Sequence, residues 1–292
     1  MLHRPVNHED DPALGATGSQ LSDADYNFLC RLIYERSRIH LGPDKRVLVT
    51  SRLAKRLRFH GLADYGDYCD LLRSPRGEEE LQYLIDRIST NHTLFFREMK
   101  HFDFLREVVI PKWQTGRRGE PFRVWSAASS SGEEAYSIAM FLAEYFAPAE
   151  SGRWLIEGTD ISTRVLEMAK AGVYESDKLA GVPPEWLRRH FQRGTNQWEG
   201  HFRVKDEIRQ RVNFQHLNLL DGNYPFGRLF DLIFCRNVMI YFDRPTQETL
   251  VRQLGEKLEP NGYLLVGHSE SLSGVKHSLK LVRPAVYLKP AG

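Results

Sequence analysis

The chain has 292 residues, 41% of them hydrophobic and 27% charged, with a formal net charge of +2. That length exceeds what one core usually spans, so two domains are expected. The small net charge gives no reason to expect a nucleic-acid partner, and no run of about 18 apolar residues suits a membrane span. Cys30, Cys69 and Cys235 are isolated thiols without metal-ligand or redox spacing, a sparse usage that fits a reducing cytoplasm.

In chain order, residues 1–20 carry Asp, Pro, Gly and His without an apolar signal core and read as a disordered leader. Ser22 with Asp25 resembles a capping box, and Phe28, Leu29, Leu32 and Ile33 then recur at helical spacing. A second helix is expected over about residues 44–60, stopping at Gly61, with Val49, Leu53 and Leu57 as its apolar stripe and Lys45, Arg52, Lys55 and Arg56 mainly off it. Further helices are expected over about 63–72 and 78–88. Residues 21–89 therefore read as a helical domain, 90–120 as a linker and helix, and 121–292 as a second domain.

From Pro121 strands alternate with helices. Strands are expected at 122–125, 154–160, 230–235, 263–266, 281–282 and 286–288, and helices at 133–146, 162–171 and 245–258, the last ending at Pro260-Asn261-Gly262. Alternation of this kind implies an α/β fold with a mostly parallel, doubly wound sheet. Between about residues 173 and 214, Phe191, Phe202-Arg203-Val204 and the stretch 208–214 look like short antiparallel strands, an inserted β-subdomain.

In open α/β sheets a ligand sits beyond the carboxyl ends of the strands. The first strand here runs into the small-residue loop Ser126-Ala127-Ala128-Ser129-Ser130-Ser131-Gly132, and no G-x-G-x-x-G is present, which lowers the odds of a nicotinamide enzyme. Glu133 and Glu134 follow. They would repel a pyrophosphate but suit a cationic group such as the amino group of S-adenosylmethionine; equally, they are helix-N-terminal acids favoured by the macrodipole. Asp160 ends the second strand, where an acid can accept from a ribose diol or cap the next helix. Arg236, Asn237 and Tyr241 follow the most apolar strand; Asn91, Thr93 and Arg97 lie at the domain junction, a common place for ligands. The bland readings are a helix cap with a buried tyrosine, and a linker pinned by Phe95 and Phe96. No histidine spacing reads as a metal site, and His268 reads as structural.

These patches, in this order, resemble the chemotaxis receptor methyltransferases of the CheR family. The resemblance rests on Asn91-x-Thr93-x-Phe95-Phe96-Arg97, on Val124-Trp125-Ser126-Ala127-Ala128 with Gly132-Glu133-Glu134, and on Asp160-Ile161. It rests as well on the run from Ile233 through Phe242 and on Gly267-His268-Ser269-Glu270, and it covers nearly all of 22–290. Ala135 stands where the family pattern has proline. The resemblance implies a seven-stranded methyltransferase sheet and methyl transfer from S-adenosylmethionine, giving S-adenosylhomocysteine, to glutamate side chains of chemoreceptor cytoplasmic domains.

It also implies a cofactor pocket of Asn91, Thr93, Arg97, Glu134, Asp160, Asn218, Leu219, Arg236 and Asn237, with Arg97 and Tyr241 beside the reacting groups. Arg52, Lys55 and Arg56 match a receptor-binding face, and the β-subdomain matches one that binds a receptor's C-terminal tail peptide in some members. Without the resemblance the basic helix reads as a solvated face. A cytoplasmic monomer reaching membranes only through receptors is expected. A non-catalytic S-adenosylmethionine-binding adaptor, or a methyltransferase for another protein or RNA, are the rival readings.

Overall fold

A computed structural model describes residues 20–89, 91–116, 120–146 and 153–291. The expected leader, all but Gln20, lies outside the described residues.

The amino-terminal helices form where the apolar spacing places them. Helix α1 (Asp23–Ser37) starts at Ser22, whose Oγ accepts the Asp25 N–H at 3.1 Å. Helix α2 (Arg46–His60) follows a 3₁₀ turn and stops at Gly61, which takes a left-handed φ of 65°. Helices α3 (Tyr65–Arg73) and α4 (Gly77–Ile88) complete the group. Val49, Leu53 and Leu57 of α2 are fully buried among Leu29, Ile33, Tyr68 and Leu84, a core separate from those of the sheet. Helix α5 (Lys100–Phe104) continues through a π turn (Leu105–Val109) into α6 (Ile110–Gly116). The irregular turn precedes Pro111, which has no N–H to return to Glu107.

The second half is built from β1 (Phe122–Ala127), α7 (Glu133–Tyr145), β2 (Trp154–Asp160) and α8 (Thr163–Ala171). An insert follows: β3 (Val173–Glu175), α9 (Pro184–His190), β4 (Phe191–Arg193), β5 (His201–Val204) and α10 (Asp206–Arg209). Strands β6 (Val212–His216) and β7 (Phe230–Cys235), helix α11 (Arg244–Lys257), and strands β8 (Leu258–Val266), β9 (Lys280–Arg283) and β10 (Val286–Leu288) complete it.

The large sheet has seven strands in the order β6-β2-β1-β7-β8-β10-β9. The first five are parallel, and β10 pairs antiparallel with both β8 and β9. Strand order reverses at β1, whose neighbours are β2 on one side and β7 on the other, so the crevice for a ligand opens at the ends of these three strands. β7 is buried at every position, as a central parallel strand should be.

Three expectations are corrected. The stretch 208–214 is not an antiparallel strand of the insert: residues 206–209 are helical, and β6 pairs parallel with β2 in the large sheet. Val212 and Phe214 alternate inward, and that period of two is the same in either sheet, so only the pairing partner distinguishes them. The small sheet is β3-β5-β4, antiparallel throughout. Residues 126–127 belong to β1, not to the loop after it. Finally, β8 begins at Leu258: Leu258 faces Phe230 while Tyr263 faces Leu232, so Pro260-Asn261-Gly262 forms an irregularity inside the strand, with Asn261 at φ 63°.

Candidate functional site

The loop after β1 folds by left-handed residues. Ala128, Ser130 and Gly132 have φ of 64°, 51° and 95°. A Cβ on Gly132 would stand 2.9 Å from the Cβ of Ala169 and 3.0 Å from the Tyr174 hydroxyl, so both its dihedral and its packing require glycine. Asp160 fixes this loop to β2: its Oδ2 accepts the Ser130 N–H at 2.8 Å and its Oδ1 the Ser162 N–H at 2.9 Å. Burial pushes its carboxyl above the ordinary range, against the pull of those bonds.

The two glutamates after the loop part company. Glu133 is buried and accepts from Ser131 Oγ at 2.7 Å. Glu134 faces the crevice, accepts from Ser126 Oγ at 2.7 Å, and lies 3.3 Å from Arg236 Nη1. Arg236, its side chain 2% exposed, also donates to the Arg97 carbonyl at 2.6 Å and stands 3.1 Å from Glu98 Oε2. One buried guanidinium thus holds two carboxylates. Burial raises the Glu134 carboxyl despite Arg236; at Glu98 burial acts the same way, but Arg236, the His268 N–H and the nearby histidines outweigh it and hold the carboxyl low. Glu270 organises the facing loop by accepting from the N–H groups of Gly267, Asn237 and Met239 at 2.6, 2.7 and 2.8 Å.

All nine residues expected around the cofactor (Asn91, Thr93, Arg97, Glu134, Asp160, Asn218, Leu219, Arg236 and Asn237) line one cleft with Tyr241. Its empty volume is about 1300 Å³, open mouth included. The Asn91 amide nitrogen is buried without a partner among the described residues, a free donor in the cleft wall. Arg97 is half-buried, and among the described residues its guanidinium makes one long contact, 3.5 Å to the His92 carbonyl, which leaves most of its donors for a ligand.

Sequence reasoning missed part of the wall. Ile39, His40, Leu41, Lys45 and Leu48, from the α1–α2 connection and α2, line the same cleft. No spacing marked them; they arrive because the helical domain docks over the sheet edge. His40 N–H donates to the Tyr241 carbonyl at 3.2 Å, Asn218 Nδ2 to the Arg36 carbonyl at 3.1 Å, and Gln82 Nε2 to the Ile161 carbonyl at 3.0 Å. Tyr34 also donates to Asp243.

The basic face of α2 differs from a free charged surface. Arg52 caps the end of α4, donating to the Arg87 and Ile88 carbonyls at 2.9 and 2.7 Å. Arg56 is paired with buried Glu80, which also accepts from Tyr68 at 2.7 Å and contacts His60 at 2.7 Å. Of the three residues expected at a receptor face, only Lys55 is exposed.

Also missed was a cluster behind Arg236. Glu98, at a left-handed φ of 61°, His101 and His268 offer ligand atoms within 4.8 Å of one another. The three-residue spacing of Glu98 and His101 is visible in the sequence, but His268 is too distant along the chain to be joined to them. His101 is 1% exposed, and burial pushes its pKa down to about 3.

Among the described residues no helix is long and apolar enough to cross a membrane. Residues 24–89 match the family described as "CheR methyltransferase, all-alpha domain", and residues 91–288 match "CheR methyltransferase, SAM binding domain". The chain is 45% identical over 267 residues to the chemotaxis protein methyltransferase of Escherichia coli strain K12, covering 91% of each chain. It is 44% identical to that of Salmonella typhimurium, over 91% of this chain and 90% of the relative. It is 41% identical to that of Borreliella burgdorferi, over 89% of this chain and 92% of the relative. With both halves matched in order, and the switch-point cleft lined by every residue the motifs nominate, the chain belongs to the CheR methyltransferase family and is an S-adenosylmethionine-dependent methyltransferase of chemotaxis.

Proposed function

We propose that this protein methylates glutamate side-chain carboxylates in the cytoplasmic domains of chemoreceptors, in the cytoplasm and as a monomer. The observation that carries the reading is the convergence of Glu134, Asp160, Arg97 and Tyr241 on one cleft roofed by the helical domain. The wall suits the cofactor: Glu134 in the first turn of α7 and Asp160 at the end of β2 would meet a cationic amino group and a ribose, and the unpartnered Asn91 amide would supply a donor. When bound, S-adenosylmethionine supplies a methyl group already activated by its sulfonium.

A glutamate acceptor, with an ordinary pKa of about 4.3, is ionised at neutral pH, so the protein needs no general base. Arg97, with its free donors, orients the acceptor carboxylate by paired hydrogen bonds, and Tyr241 positions the methyl group. The remaining contribution is orientation and exclusion of water by the roof.

For receptor contact, Lys55 with exposed Arg58 forms the available charge on α2; Arg52 and Arg56 shape that face from within. Strand β4, at the edge of the small sheet with Gln192 and Arg193 exposed, offers unpaired backbone groups to which a receptor tail peptide can add as a strand. The decisive experiment is transfer of tritiated methyl groups onto receptor-rich membranes. Base-labile incorporation into receptors is expected. Base-stable label, or S-adenosylhomocysteine binding without transfer, overturns the glutamate reading.

A further inference from the structure

The geometry points to a divalent transition-metal site of the zinc class formed by Glu98, His101 and His268, on the opposite side of Arg236 from the cofactor cleft. Two imidazoles and one carboxylate are the ligand set that borderline cations such as Zn²⁺ and Co²⁺ take, with a further position left to water. The three donors lie within 4.8 Å of one another, and Glu98 Oε2 is 3.5 Å from His101 Nδ1. Metal–ligand bonds of about 2.0–2.2 Å set the donors roughly 3.5 Å apart, so a modest contraction closes the site.

A second observation points to a ligand. His101 is buried, yet neither ring nitrogen has a hydrogen-bond partner among the described residues. An unsatisfied buried nitrogen is costly, and a bound cation would engage one of the two. Access is present, because His101 and His268 both line a surface recess beside Phe104 and Arg283, and His268 is exposed.

The opposing charge is Arg236, which shares Glu98 Oε2 with any cation placed there. Glu98 has a second oxygen, Oε1, which among the described residues accepts only the His268 N–H, at 3.2 Å. The site is therefore of adjustable rather than structural strength, and its occupancy shifts the carboxylate that shares Arg236 with Glu134.

Cobalt titration of the purified full-length protein tests this, with S-adenosylhomocysteine saturating the cleft in a parallel series. The expected result is a single equivalent of Co²⁺ with visible ligand-field bands, displaced by Zn²⁺, and weakened about tenfold or more by His268→Ala. His268 is exposed, so that variant keeps the fold, checked by circular dichroism; His101→Gln gives the same loss if it folds. Absence of the bands, or unchanged affinity in His268→Ala, overturns the site. Because the readout is a metal spectrum, it is independent of whether glutamate is the methyl acceptor.

Discussion

At the scale of single residues the protein places its charges in pairs that burial makes consequential. Glu80 shows this in the helical domain. Burial alone pushes its carboxyl up, but hydrogen bonds from Arg56, Tyr68 and His60 outweigh that and hold it below the ordinary carboxylate range. Its stabilising contribution is thus complete above the unfolded pKa of about 4.3 and is lost as pH falls through the lower folded value. Glu80→Gln should cost about 2–4 kcal/mol at pH 7, because it leaves the partly buried Arg56 without a counter-charge. Urea unfolding of both proteins down to pH 3 should show that difference shrinking in acid; a constant difference means that Glu80 acts by packing. Arg97 belongs to the same scale. Arg97→Ala should lower turnover at saturating substrate by about a hundredfold through lost orientation, and Arg97→Lys should recover little of it, since an ammonium cannot make the bidentate contact. Equal turnover in Arg97→Ala removes it from the reacting centre.

At the scale of elements, the site depends on one strand-to-helix turn. Gly132 lets the loop from β1 to α7 pass against Ala169 and Tyr174, and Asp160 ties the loop's Ser130 to β2. Gly132→Ala combines a left-handed φ with a close Cβ contact, so it should destabilise by about 1–3 kcal/mol and loosen the Glu134 position. Calorimetry with S-adenosylhomocysteine should find weaker binding in this variant even where the protein is fully folded; unchanged affinity would show that the turn supports the fold alone. The loop, Glu134, Asp160 and Arg236 were legible in the sequence because they follow strands whose apolar runs are plain. Two features of the same elements were not. Residues 208–214 alternate in a way that suits either sheet, and Pro260-Asn261-Gly262 reads as a simple turn although β8 continues on both sides of it. Alternation fixes which face a side chain takes, and says nothing about the strand it will pair with.

At the scale of the whole molecule, the cleft has walls from both halves. His40, Lys45 and Leu48 of the helical half meet Asp160, Leu219 and Tyr241 of the sheet half. Hydrogen bonds at Gln82, Asp86 and Asn218 hold the two together, the Thr163–Asp86 bond at 3.1 Å among them. A cofactor product bound there at a hundred times its Kd should stabilise the protein by about 2.7 kcal/mol. Hydrogen exchange should then report added protection in the amides of α1 and α2 as well as in the loops of the sheet. Protection confined to the sheet half would mean that the helical domain covers the cleft without engaging its occupant.

The sequence by itself determined the helical start, the α/β alternation, the motifs at the strand ends and, through their order, the family. Those are properties of local periodicity and of short runs of residue types, and they survive reading along one dimension. Only the tertiary structure decided that Arg52 and Arg56 turn inward to α4, that Glu133 leaves the cleft to Glu134, and that His268 meets Glu98 and His101. The physical reason is common to all three. Which partner satisfies a charge depends on how separate elements pack, and no spacing along the chain encodes that directly.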